Sequence, residues 1–98
     1  MQVVVSELAE ADLRAGYAFY ARQDPRVAER FLETLLAKLH LLESIGGVHA
    51  QVHGCFRMLA FPFPFAIYYK VVANTVVVRA ILDCRRSPRT HSRRAYSE

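Results

Sequence analysis

The sequence predicts an α+β domain of two layers, in which an antiparallel helix pair packs on one face of an antiparallel sheet. Up to Gly46-Gly47 apolar residues recur at three- and four-residue spacing; beyond that pair the period falls to two through three consecutive apolar runs. Length sets the scale, since 98 residues, 53% hydrophobic and 22% charged, suit a single domain over 1–98 with one core.

Residues 2–5, QVVV, are β-branched and predict an N-terminal strand. Ser6 follows as a helix N-cap, with Glu7 at the positive end of the dipole. The first helix is expected to run to about Gln23, with Leu8, Ala11, Ala15, Ala18 and Phe19 as its apolar stripe. Asp24-Pro25 supplies the N-cap and N1 of a second helix, where proline has no amide hydrogen to lose. That helix carries Ala28, Phe31, Leu32, Leu35, Leu39 and Leu42 on one side and stops at the glycine pair.

Three strands come next: CFRMLAF (55–61), FAIYYKVV (65–72) and TVVVRAILD (75–83). Pro62-Phe63-Pro64 forms the first corner, where the missing amide hydrogens break no ladder bond, and Ala73-Asn74 forms a tight hairpin. Alternation puts Phe56, Met58, Ala60, Phe65, Ile67, Tyr69, Val76, Val78, Ala80 and Leu82 toward the helices. The other face receives Arg57, Leu59 and Phe61, then Ala66, Tyr68 and Lys70, then Val77, Arg79, Ile81 and Asp83. A bulge would flip part of this assignment. One cation per strand among exposed hydrophobes describes a surface that something must cover.

The net charge of +4 is unevenly spread, because residues 1–45 balance at −2 and residues 46–98 at +6. An anionic partner would dock on the second half. Five basic residues, Arg85, Arg86, Arg89, Arg93 and Arg94, fall within 85–94, so 85–98 is expected to be a mobile basic arm with a solvated His91.

The opening MQVVVSELAEADLR lacks the charged and apolar regions of a signal peptide, and no apolar run has the roughly 20 residues of a membrane helix. A cytoplasmic location without membrane contact is expected. Cys55 and Cys84 match no zinc spacing and fall at opposite ends of the three strands, so they are expected to be free thiols. His49 and His53, four residues apart with no carboxylate nearby, match no metal-ligand pattern, so no metal site is expected, and no motif calls for a cofactor.

The order of these elements, with "ELAEADL", "DPRVAERF", "FPFAIYYKV" and "VRAILDCRRSP" leading into an Arg-rich end, resembles the RelE/ParE family of bacterial toxins along essentially the whole chain. The resemblance implies a two-layer RelE/ParE-like fold and the toxin of a type II toxin-antitoxin system. A cognate antitoxin, ParD-like or similar, would form a hetero-oligomer with it and cover the sheet face and C-terminal region. Candidate binding residues are Arg57, Leu59, Phe61, Tyr68, Lys70, Arg79, Arg85, Arg86, Arg89, Arg93 and Arg94.

The family divides between ribosome-dependent mRNA endoribonucleases similar to RelE and DNA gyrase inhibitors similar to ParE. Arg57 matches one cation of the RelE-like phosphate clamp, but the second falls at Leu59 and the arginine of the next strand at Ala66. Arg86, His91 and Tyr96 are the remaining candidates for that chemistry. FPFAIYYKV and RRSPR look more like ParE members, so growth arrest by binding gyrase, rather than catalysis, is the favoured expectation, with the mRNA nuclease as alternative.

Overall fold

The computed structural model describes residues 1–96. Strand β1 (Gln2–Val5) leads into helices α1 (Glu7–Ala21) and α2 (Pro25–Ile45), followed by β2 (Gln51–Val52), β3 (Cys55–Leu59), β4 (Phe65–Val72), β5 (Thr75–Asp83) and α3 (Pro88–Tyr96). The strands form one sheet ordered β1-β5-β4-β3-β2. It is mixed, since β1 runs parallel to β5 while β2 to β5 pair antiparallel in sequence order.

Local chemistry explains the boundaries. The Ser6 hydroxyl accepts from the Ala9 amide at 3.1 Å, and the Asp24 carboxylate accepts from the Arg26 amide at 2.9 Å, so each long helix starts on a side-chain cap. Ala73 and Asn74 both have positive φ (48° and 64°), the geometry of a two-residue hairpin between β4 and β5. The Pro62-Pro64 corner is closed by Ala60 and Phe63 amides bonding to the Phe65 and Ala60 carbonyls. Both turns thus follow the sequence expectation.

Helices α1 and α2 pack on one sheet face over Phe31, Leu35, Leu39, Leu42, Met58, Phe65, Ile67, Tyr69, Val76, Val78 and Ile81. Each such side chain contributes roughly 1.5–3 kcal/mol by leaving water. An aromatic knot closes one end, with Phe31 5.3 Å from Phe63 and 4.9 Å from Phe65 between ring centroids.

The buried side of α1 differs from the expected stripe. Leu8, Ala11, Ala15, Ala18 and Phe19 are exposed, while Ala9 and Gly16 are buried and Leu13, Tyr17 and Tyr20 pack at the core edge. Close approach to α2 is the cause. A Cβ on Gly16 would lie 2.6 Å from the Phe31 ring, so the smallest residue, rather than the most apolar, faces the partner helix.

The sheet alternation also breaks once. Tyr68 pairs with Ala80 and Tyr69 with Val78, leaving Arg79 as an extra residue in β5. Beyond it the sides exchange, so Ile81 joins the helix-side core while Ala80 and Leu82 face the other way. The expected placement of Ala80, Ile81, Leu82 and Asp83 is corrected by this bulge.

Gly16→Ala should lower the melting temperature although alanine is the better helix former by about 1 kcal/mol, because overpacking against Phe31 costs about 1–3 kcal/mol. A higher melting temperature would show that the ring moves freely aside. His49 generates a pH prediction. Its Nδ1 is hydrogen-bonded to the Tyr69 hydroxyl, which itself accepts from the Gly47 amide at 2.9 Å, and burial lowers the imidazole pKa below its ordinary 6.5. The neutral form is therefore favoured by folding. Its stabilisation is complete above pH 6.5 and is lost as the pH falls through the lowered value. Urea titrations at pH 7 and 5 should show a smaller acid loss in His49→Gln than in wild type; identical losses would refute the assignment.

Candidate functional site

The sheet face opposite α1 and α2 is half covered by the chain itself. Residues expected in a mobile arm form α3, whose Ala95 is buried with Cys55, Ala66, Tyr68, Ala80 and Leu82. The mobile-arm expectation is overturned for Pro88–Tyr96; residues 97–98 of that arm lie outside the described residues. Ser87 starts the helix, its hydroxyl accepting from the Thr90 amide at 3.2 Å.

Three contacts dock α3. The Cys55 thiol donates to the Ala95 carbonyl at 3.2 Å, and burial pushes that thiol pKa up, keeping it protonated. The Arg94 guanidinium donates both Nη groups to the Asp12 carboxylate at 2.9 and 2.7 Å. Asp12 Oδ2 also accepts from the Ile81 amide at 3.0 Å, capping β5 where β1 no longer pairs with it. The third contact is His91, which is 7% exposed rather than solvated.

His91 Nε2 lies 2.9 Å from the Asp83 carbonyl, which can only accept, so Nε2 carries a proton. The other ring nitrogen, Nδ1, is hydrogen-bonded to the Tyr68 hydroxyl at 2.8 Å. Both ring nitrogens are engaged. Tyr68, expected on an open surface, is fully buried beneath α3. Burial raises its pKa, and neighbouring Arg57 opposes the rise.

Around this pair lies a shallow pocket of about 160 Å³ lined by His53, Arg57, Tyr68, Cys84, Arg86, Pro88 and His91. It contains two guanidinium groups and no carboxylate. Asp83, the nearest acid in sequence, is engaged elsewhere: its Oδ1 accepts from Arg85 Nε at 2.9 Å, and the charge and hydrogen bonds of Arg85 hold its pKa down. Partial desolvation of its sulfur raises the pKa of the Cys84 thiol although the residue is exposed, so it adds no negative charge.

The other sequence candidates scatter. Arg85 is tied to Asp83 and stands 6.0 Å from the Phe19 ring, on the α1 side. Arg89 and Arg93 are exposed, two residues either side of inward-facing His91, and so lie on the outer side of α3. Lys70 and Arg79 are half-buried on the uncovered part of the sheet, and Arg79 Nε is buried without a partner among the described residues. Leu59 (39% exposed) and Phe61 (70%) follow Arg57 along β3 and into its turn. Tyr96 does not line the pocket; its ring covers Gly54, where φ is +79° and a Cβ would come within 2.7 Å of it. Cys55 and Cys84 are free thiols, as expected.

Sequence reasoning missed the Tyr68–His91 pair, Asp12 and the place of His53 beside Arg57. The Asp12 signal was present: an acid among Ala9, Leu13 and Gly16, on the buried side of α1. No helix among the described residues is long and apolar enough to cross a membrane.

Comparison with known proteins follows the fold closely. A family model described as "ParE toxin of type II toxin-antitoxin system, parDE" matches residues 3–88, ending at the first residue of α3. Among solved structures, a chain of the chromosomal ParDE toxin-antitoxin system from P. aeruginosa superimposes with a TM-score of 0.74 at 21% identity, covering 83% of this chain and 92% of that one. No curated protein sequence matches the chain.

Asp12→Ala should destabilise the fold by about 2–4 kcal/mol in urea denaturation, because it strands a half-buried guanidinium and uncaps the Ile81 amide. Glu10→Ala, which removes an exposed pair with Arg14, should cost less than about 1 kcal/mol. Equal losses would mean that α3 is not anchored through Asp12.

Proposed function

Given that the chain belongs to the ParE toxin family of type II toxin-antitoxin systems, we propose that it arrests growth in the cytoplasm by binding DNA gyrase and is neutralised by a ParD-like antitoxin. The family match carries this conclusion. Four features favour binding over RNA cleavage. Leu59 and Ala66 stand where the RelE-like clamp would place cations. His91 has neither nitrogen free to move a proton, and Tyr96 stands outside the pocket that holds Arg57. General acid-base catalysis needs a titrating group within hydrogen-bond reach of the reacting atom.

An antitoxin fits what α3 leaves open. Arg57, Arg86, Arg89 and Arg93 have no carboxylate partner among the described residues, while Asp83 and Asp12 hold Arg85 and Arg94. Exposed apolar side chains, Val4, Leu59 and Val72, stand on the same sheet face or its margin. A partial cover of acidic and apolar character would satisfy both.

The pocket's two arginines favour a second reading, an mRNA nuclease acting on the ribosome. Induced expression scored for growth, with supercoiling by gyrase and mRNA integrity in a translating extract, tests both. Blocked supercoiling with intact mRNA is expected. Cleaved mRNA with normal supercoiling would overturn the proposal in favour of the nuclease.

A further inference from the structure

Arg57 and Arg86 come from separate elements, β3 and the turn after β5, and meet at one small pocket. Two cations held together repel each other unless an anion joins them. Every nearby acid is spent: the Asp83 carboxylate on Arg85, its carbonyl on His91, and Asp12 on Arg94. The pocket floor is fixed, because Tyr68 on the sheet and His91 on the inner side of α3 are buried and hydrogen-bonded to each other. The α3 N-terminus, with Pro88 in the wall, adds the positive end of a helix dipole.

The rim argues for a peptide rather than a free anion. Leu59 is two residues from Arg57 on β3, so both point to the same side, and Leu59 is 39% exposed. An extended segment with an acid and an apolar side chain two residues apart would match that spacing.

Resting on the antitoxin reading above, we propose that the pocket between Arg57 and Arg86 receives a single carboxylate side chain of the antitoxin, with an apolar neighbour two residues along covering Leu59. A guanidinium can grip a carboxylate through two parallel charge-assisted bonds, and two guanidinium groups at one shallow pocket offer that grip from both sides. Arg89 and Arg93, on the outer side of α3, steer the approach without entering the pocket.

The test uses the full chain and the antitoxin encoded with it. Arginine Nε–H resonances are followed while inorganic phosphate, as an oxyanion probe, is added to the free toxin and to the complex. Arg57 and Arg86 should respond in the free chain and fall silent in the complex. Arg57→Gln and Arg86→Gln should each weaken the complex at least tenfold, about 1.4 kcal/mol, with unchanged melting temperatures. Arg22→Gln, an equal charge change at the far end of α1, should weaken it less than threefold. Phosphate binding equally well to free and complexed toxin would assign the pocket to a phosphate ligand and overturn the inference. So would absence of phosphate binding, or a complex indifferent to both pocket substitutions. A wild-type chain that forms no complex at all would instead sink the antitoxin reading itself, while phosphate shifts at Arg57 and Arg86 would still report the pocket.

Discussion

The extra residue at Arg79 in β5 governs the arrangement of everything on the second sheet face. Without it, Ala80 and Leu82 would point into the helix-side core and Ile81 outward, following the alternation set by Val76 and Val78. With it, Ala80 and Leu82 join Ala66 and Tyr68 as an apolar seat for α3. The bulge falls where parallel pairing with β1 ends at Val78, so the next edge groups of β5 need other partners. The Ser6 hydroxyl lies 3.5 Å from the Arg79 carbonyl, and the Asp12 carboxylate accepts from the Ile81 amide. Strand edge, helix α1 and helix α3 are joined at that one acid, since it also binds Arg94.

Much of this was legible in the sequence where the determinant is local. Ser6, Asp24-Pro25, Ala73-Asn74 and the prolines after Phe61 each act within a few residues of themselves, and each marks the boundary it predicts. The longer helix also shows its side clearly, because Ala28, Phe31, Leu35, Leu39 and Leu42 outnumber any competing stripe. In α1 the decisive residue is Gly16, whose value is the space it leaves for Phe31, and a hydrophobicity pattern cannot register space.

Helix α3 was hidden for a different reason. Its sequence, PRTHSRRAY, is polar enough to look solvated, and only His91 and Ala95 are buried. What holds it is specific partnership across the chain: Tyr68 for His91, Asp12 for Arg94 and Cys55 for the Ala95 carbonyl. Each partner lies more than 20 residues away, so single-sequence periodicity cannot pair them. The two uncommon features of the middle strands, a bulge and a buried tyrosine, become intelligible only once this helix is in place.

The distribution of cations then separates structure from recognition. Arg85 and Arg94 look equivalent to Arg86, Arg89 and Arg93 in the run RRSPRTHSRR, yet each is matched to an acid of its own chain. Removing those two from the run leaves Arg86, Arg89 and Arg93, which with Arg57 extend positive charge from the pocket along α3. Unpaired guanidinium groups are well hydrated and cost the isolated fold little, but they give a partner charge-assisted bonds once water is displaced. The paired arginines thus shape the surface by fixing α3, and the unpaired ones determine the charge of what binds there.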